Sequence, residues 1–158
     1  MKKKFFVLPL IGLLSLGFVA CGDEEENGNE SNTPTNGLGE EKNYIGTFSV
    51  TNPDGSIFSN DAFECLCTEG SALDLVLLKA KFSEKMPLVL DSVKVLGVAY
   101  SKANGVVSFS ADSIVPYWNN KPFATYTVKN LSGTMANESL QFTATMGTYP
   151  VAYQGTKK

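Results

Sequence analysis

The segment from Ser139 to Tyr153, SLQFTATMGTYPVAY, carries the clearest evidence for the fold. Apolar and polar residues alternate in it almost without interruption. Because successive side chains of a β-strand point to opposite faces, each half of the stretch places its apolar side chains on one face. The apolar positions are Leu140, Phe142, Ala144 and Met146 in the first half and Tyr149, Val151 and Tyr153 in the second. The pattern predicts two consecutive half-buried strands.

The same alternation recurs towards the N-terminus, separated by turn signals such as NPDG, KANG and ANE. Gly97 is expected to mark a bend or bulge, and the alternation slips near Asn130 as if one residue were bulged out. No segment keeps a helical apolar period over three turns. We predict eight strands, at 44–51, 62–67, 72–82, 87–101, 106–114, 123–135, 139–146 and 149–155.

Eight strands joined by short turns predict an all-β fold. Because the long, flat edge strands of an open sheet must be paired or covered, the sheet is expected to close or to pack on a second one. An antiparallel barrel satisfies this requirement, and a β-sandwich is the alternative. In the third strand, Leu73 to Leu78 carry apolar side chains on both faces. One face is expected to be covered by the core, and the other by further packing or by a partner.

Three segments, YIGTFSV from Tyr44, NLSGTM from Asn130 and MGTYPVAYQGTKK from Met146, resemble the Bacteroides calycin-like β-barrel domain. This lipocalin-like family comprises surface or secreted lipoproteins. The resemblance spans 44–157 and implies an antiparallel eight-stranded calycin- or lipocalin-like barrel. Its motifs are turns and strand ends, so it implies no active site, and this chain departs from it in a shortened region at 52–61.

The N-terminus reads as a secretory signal peptide covering 1–20: three lysines, then an uncharged run from Phe5 to Ala20. The run is shorter than the roughly 20 apolar residues that span a bilayer. Phe18 to Cys21, FVAC, resembles the lipobox of bacterial lipoproteins. That resemblance implies a lipid on Cys21, and two or three acyl chains would hold the protein stably to a membrane.

After the lipidated cysteine, residues 21–42 read as an acidic, disordered stalk, and 43–158 as the barrel domain. The stalk has acids from Asp23 to Glu41 with no base among them and almost nothing apolar to bury. Acids directly after the cysteine resemble the export signal of surface lipoproteins in Bacteroides-type bacteria. This resemblance implies that the protein is anchored by its lipid to the outer membrane and exposed at the cell surface. A periplasm-facing position is the alternative.

Composition argues against several functions. All 13 bases are lysine, and the barrel domain has no basic stripe, so we expect no nucleic-acid partner. The chain has no His, which removes the commonest general base and most catalytic zinc sites. The acids of the domain are scattered and read as surface groups. We therefore expect no enzyme, no cofactor and no metal.

Cys65 and Cys67 are a candidate thiol pair. On a strand they share one face. Three readings stay open: two small buried side chains, a mutual disulfide that requires the segment to bend, or thiolate metal or redox chemistry. The last would be an incomplete site, because two cysteines without other ligands do not complete a coordination sphere.

A candidate ligand site lies in VPYWNNKP, which we predict to be a loop. Tyr117 and Trp118 would stack on a sugar or apolar ligand while Asn119 and Asn120 supply hydrogen bonds. The alternative is that Trp118 caps one end of the barrel.

The sequence thus favours a surface-anchored lipoprotein that binds a small apolar ligand or a glycan in the barrel or at its mouth. The alternative is an accessory or structural subunit of an outer-membrane protein complex, with a side-chain-filled barrel and no small ligand.

Overall fold

A computed structural model describes residues 39–158. The predicted signal peptide, Cys21 and most of the predicted stalk lie outside the described residues. Ten strands follow one another: β1 Glu41–Thr51, β2 Ile57–Glu69, β3 Leu73–Ala80, β4 Leu90–Ala103, β5 Val106–Ile114, β6 Tyr117–Trp118, β7 Lys121–Pro122, β8 Val128–Ala136, β9 Ser139–Met146 and β10 Tyr149–Lys157. One turn of 3-10 helix, Ala124–Tyr126, precedes β8. The described part contains no helix long and apolar enough to cross a bilayer.

Eight of these strands close into one antiparallel barrel. β1 to β5 pair in sequence, β5 pairs with β8, and β8 to β10 continue the meander. β10 then pairs with β1 from Tyr44, opposite Lys157, to Val50, opposite Val151. The predicted eight-stranded, calycin- or lipocalin-like barrel is confirmed, and the chain does not form the alternative sandwich. Closure removes the open sheet edges that a sandwich would have to protect.

The meander gives the barrel two distinct ends. We call the end at which the described chain enters the barrel the proximal end and the opposite end the distal end. At the proximal end β1 begins, β10 finishes, and short turns join β2 to β3, β4 to β5 and β8 to β9. At the distal end lie the β1–β2 turn, the β3–β4 segment, the connection from β5 to β8 and the β9–β10 turn. The longer connections, and the short hairpin of β6 and β7, are therefore all distal.

Side chains fill the barrel interior. The predicted inward positions of β9 are buried, and Leu140 has no exposed surface. Phe48 and Phe63, from β1 and β2, stack with ring centroids 4.4 Å apart, and Phe142 lies 5.3 Å from Tyr153. Apart from the hydroxyls of two tyrosines and the thiols of two cysteines, the described core contains no polar or charged side chain. The inside of the barrel is a packed apolar core.

Both predicted irregularities occur. Gly97 has a positive φ of 77°, and the β3–β4 register shifts there. Its N–H donates to the Asp74 carboxylate at 2.8 Å, so the bulge is held from the neighbouring strand. Asn130 has φ 51°, and the β8–β9 register shifts between Lys129 and Ser132.

Several predicted boundaries were wrong. β1 starts at Glu41, which pairs with Thr68, so the barrel begins two residues before the predicted domain start at Asn43. β2 starts at Ile57 rather than at residue 62, because its first residues extend the hairpin with β1. The sixth predicted strand starts at Val128 rather than at residue 123, because the 3-10 turn occupies part of the interval.

Candidate functional site: the distal cleft and the cysteine pair

An aromatic plug closes the distal end of the barrel. Phe82 stacks on Tyr126 at 4.5 Å and on Tyr149 at 6.2 Å between ring centroids. Phe123 lies 4.9 Å from Tyr126 and 5.3 Å from Trp118. These five rings are the aromatic plug. Trp118 thus lies at the end of the barrel, as in the capping alternative.

The VPYWNNKP segment is a small hairpin and not the predicted loop. Tyr117 pairs with Pro122 and Trp118 with Lys121, and Trp118 also pairs with Val93 of β4. Asn119 and Asn120 form the turn with φ of 51° and 57°. Two positive φ values at the centre of a two-residue turn match the right-handed twist of hairpin strands, and asparagine tolerates them.

The four predicted ligand residues do not converge on one surface. Adjacent strand residues point to opposite faces; Trp118 packs on Phe123, whereas Tyr117 is 37% exposed. The Lys94 ammonium donates to the Asn120 side-chain oxygen at 3.5 Å. The buried indole N–H of Trp118 has no hydrogen-bond partner among the described residues. Tyr117 and Trp118 therefore do not form a shared stacking platform.

A cleft of about 700 Å³ opens at the distal end beside the plug. We call it the distal cleft. Phe58 and Tyr149, both half-buried, supply its aromatic surface and pack against the core. Its lining comes from the β1–β2 turn, the start of β2, the β3–β4 segment and the start of β10: Asn52, Pro53, Asp54, Ser56, Ile57, Phe58, Ser59, Ser83, Glu84, Lys85 and Tyr149. The cleft combines an aromatic wall with a polar rim.

A second, shallower groove of about 470 Å³ runs over the outer face of β1, β10, β9 and β8. Its side chains are uncharged and mostly hydroxyl or amide groups: Thr47, Ser49, Ser132, Gly133, Thr134, Gln141, Phe142, Thr143, Ala152, Tyr153 and Gln154. Its two aromatic residues, Phe142 and Tyr153, are at most 5% exposed. Since it offers no accessible ring, the distal cleft is the better candidate site.

Cys65 and Cys67 point into the barrel and form no disulfide. Their exposures are 0% and 1%. Burial raises the pKa of the Cys65 thiol well above its ordinary value and that of Cys67 to about 12. Both thiols are therefore protonated at neutral pH.

Alkylation should distinguish the folded from the unfolded thiols. With iodoacetamide at pH 8, Cys65 and Cys67 are expected to stay unmodified in the folded full-length protein, because only the thiolate attacks and both groups are buried and protonated. In urea both should be carboxamidomethylated within the same reaction time. Peptide mapping by mass spectrometry reads each cysteine separately. Rapid modification of Cys67 in the folded protein would contradict its burial.

An ion-pair cluster lies at the proximal end. Lys42 and Lys102 reach Glu69 at 2.5 Å and 3.1 Å. The hydrogen bond from Lys42 lowers the pKa of Glu69, so the carboxylate stays ionised. These three residues, together with Tyr44 and Met135, line a cavity of about 180 Å³, the proximal cavity.

The described residues contain no group of three or more His, Cys, Asp or Glu placed to hold a metal ion. None of the acids among them is buried. Comparison with protein-family models, curated proteins and solved structures finds no match for this chain.

Proposed function

We propose that this chain is a surface lipoprotein of the calycin-like barrel family, anchored by a lipid on Cys21, that binds a glycan or small apolar ligand without catalysis. The observation that carries the placement of the ligand is the packed interior. Phe48, Phe63 and their neighbours occupy the barrel. The ligand is therefore assigned to the mouth, at the distal cleft, and not to the lumen.

The distal cleft has the size and lining for this role. Its volume of about 700 Å³ falls within the roughly 300–1,000 Å³ of small-molecule sites. Such sites combine aromatic walls with a few polar groups that orient the ligand. Phe58 and Tyr149 supply the aromatic wall, and Asp54, Ser83 and Lys85 supply the polar groups. A sugar ring stacked on an aromatic face and hydrogen-bonded at its edge matches this arrangement.

The position of the cleft suits an anchored protein. The described chain enters the barrel at the proximal end, where β1 begins. A tether at Cys21 therefore joins the barrel at the end remote from the cleft. We assign the protein to the outer membrane, anchored by lipid and exposed at the cell surface; a periplasm-facing position is the alternative.

Binding at the cleft should be visible through Trp118, the only tryptophan. The Tyr149 ring lies 6.3 Å from the Tyr126 ring, Tyr126 contacts Phe123, and Phe123 contacts Trp118. A ligand on Tyr149 therefore perturbs a row of rings that ends at Trp118. Titrating the full-length protein with neutral oligosaccharides and with fatty acids is expected to shift Trp118 emission for one of these classes. Tyr149→Ala should weaken that binding by more than about tenfold, since aromatic hot spots contribute about 2 kcal/mol or more.

Tyr117→Ala is the matched control, because Tyr117 is an exposed tyrosine outside the plug. It should leave the affinity unchanged. Equal losses for both tyrosine variants, or no binding by calorimetry across both ligand classes, would overturn the cleft as the site.

A second function, an accessory subunit of an outer-membrane complex, is favoured by apolar exposure at the same end. Seven large apolar side chains of the described residues are exposed, and five of them belong to distal elements: Ile57 at 69%, Leu88 at 49%, Val89 at 46%, Val115 at 42% and Tyr117 at 37%. Exposed apolar residues grouped on one part of a surface are typical of protein interfaces. Capture of an outer-membrane protein in cells, without binding of either small-ligand class, would favour this function.

A further inference from the structure

Two sulfur atoms, from β2 and β8, meet in the proximal half of the barrel. The Cys67 thiol of β2 donates to the Met135 sulfur of β8 at 3.3 Å. The Tyr44 hydroxyl donates to the same sulfur at 3.5 Å. Cys65 lies two residues before Cys67 on the same inward face of β2, and its thiol points to the Leu66 carbonyl at 3.7 Å. The Met135 thioether therefore directs its lone-pair side towards the Cys67 thiol.

The cluster is buried but close to solvent. Cys67 and Met135 are 1% and 3% exposed. Met135 and Tyr44 also line the proximal cavity of about 180 Å³. Met135 therefore borders the cavity on one side and contacts the Cys67 thiol through its sulfur.

We propose that Cys67 and Met135, with Cys65 beside them, bind one soft monovalent metal ion of the Cu(I) or Ag(I) class. Thiolate and thioether sulfur prefer such ions over hard cations. In the binding step the metal replaces the proton of the Cys67 thiol. The S–H bond breaks, a thiolate–metal bond forms, Met135 donates a lone pair, and the proton leaves to the solvent. No oxidant or reductant is required.

The charge balance selects a monovalent ion. One thiolate and one M⁺ make a neutral unit, and an apolar interior tolerates a neutral unit far better than a net charge. Glu69 does not supply a further anion, because Lys42 and Lys102 already pair with it. A hard divalent ion would need oxygen ligands, which the cluster lacks apart from the Tyr44 hydroxyl.

Met135 can adjust to the ion. The two sulfurs are 3.3 Å apart, and two metal–sulfur bonds of about 2.3 Å each, as for zinc, would need them to separate by about 1 Å. Methionine has three flexible side-chain torsions that allow such a movement. The proximal cavity lies next to Met135 and leaves room for that movement. This site lies at the end opposite the distal cleft and does not depend on the proposed function.

The test uses the full-length chain carrying Cys21→Ser, so that Cys65 and Cys67 are the only thiols. Ag(I) and Cu(I) are titrated anaerobically against a chromophoric Cu(I) chelator, and native mass spectrometry counts the bound ions. One ion per chain is expected. Met135→Leu, which keeps the volume and removes the sulfur, should weaken binding at least about tenfold, the lower bound for disturbing a metal shell. Cys67→Ser should abolish it.

Met146→Leu is the matched control, because Met146 is a buried methionine at the distal end of β9. It should bind Cu(I) like the parent. Circular dichroism verifies that each variant is folded, and X-ray absorption at the copper edge should show sulfur ligands only. Absence of a bound ion in the parent, equal affinity of Met135→Leu and Met146→Leu, or nitrogen and oxygen ligands at the edge would each overturn the site.

Discussion

Replacing Phe48 with alanine is expected to lower the free energy of unfolding by about 3–5 kcal/mol, the usual cost of deleting a buried phenylalanine. Phe48 has no exposed surface. Its ring stacks on Phe63 at 4.4 Å and meets the edge of Phe82 at 6.2 Å. It therefore joins the core between β1 and β2 to the aromatic plug. The truncation leaves a cavity between the Phe63 and Phe82 rings, which belong to different segments.

Urea unfolding of the full-length protein, followed by circular dichroism, measures this loss. Ile57→Ala is the control, since it also truncates an apolar side chain, but one that is 69% exposed. Its effect should stay within about 0.5 kcal/mol. A Phe48→Ala loss below about 1 kcal/mol would mean that the interior around this ring is not close-packed, and would reopen the lumen to a ligand.

Much of the fold was predictable because inward-facing and outward-facing residues alternate along a barrel strand, so the sequence pattern shows which side chains face the core. Leu140 and Phe142 in β9 are buried, as their spacing predicts. The third strand also follows its inner pattern. Leu73, Leu75 and Leu77 are buried, whereas Val76 and Leu78 on the outer face are only partly covered. The two-sided apolar pattern thus resolves into one core face and one half-exposed face.

The bulges were predictable for a related reason. Side chains of a strand alternate between two faces, so a single extra residue moves the following apolar side chains to the opposite face. The break in the apolar–polar alternation is visible in the sequence. Asn130 shows that slip, and the structure gives it a positive φ. Gly97 was predicted from residue type, because glycine adopts such a conformation without steric cost.

The hairpin of β6 and β7 was missed because two-residue strands are too short to show a period. Its signal was the Asn119-Asn120 pair, since asparagine is among the residues that accept the positive φ of such turns. The same error made Tyr117 and Trp118 look like one platform. Once they belong to a strand, they must face opposite ways.

The distal cleft and the sulfur cluster could not be predicted from local pattern. The cleft gathers the β1–β2 turn, the β3–β4 segment and Tyr149, which are remote in sequence. Cys67 and Met135 are 68 residues apart. Their contact depends on β2 and β8 facing each other across the interior, which follows from barrel closure and register. In the sequence, Cys65 and Cys67 stand without a neighbouring third ligand, and the structure adds the thioether of Met135.

Barrel closure itself can be tested at the seam between β1 and β10. Gly46 faces Gly155 across this seam. A Cβ on Gly46 would lie within 3.0 Å of the Gln154 carbonyl oxygen and the Gly155 Cα, both of them backbone atoms. Because a backbone cannot rotate away as a side chain can, Gly46→Ala must push the two strands apart. We expect a loss of about 3 kcal/mol in the free energy of unfolding, the upper part of the usual range for overpacking.

Gly55→Ala separates this clash from the general cost of replacing a glycine. Gly55 lies in the β1–β2 turn with φ 82° and nothing within 4 Å of a new Cβ, so it carries strain without a clash. Its cost should be about 1–2 kcal/mol, the penalty of a left-handed residue. Urea unfolding of both variants compares the same chemical change at two sites. If β1 and β10 pair as the register requires, Gly46→Ala must be the more destabilising of the two. The opposite ranking would mean that the seam is open in solution and that β1 and β10 form exposed edges.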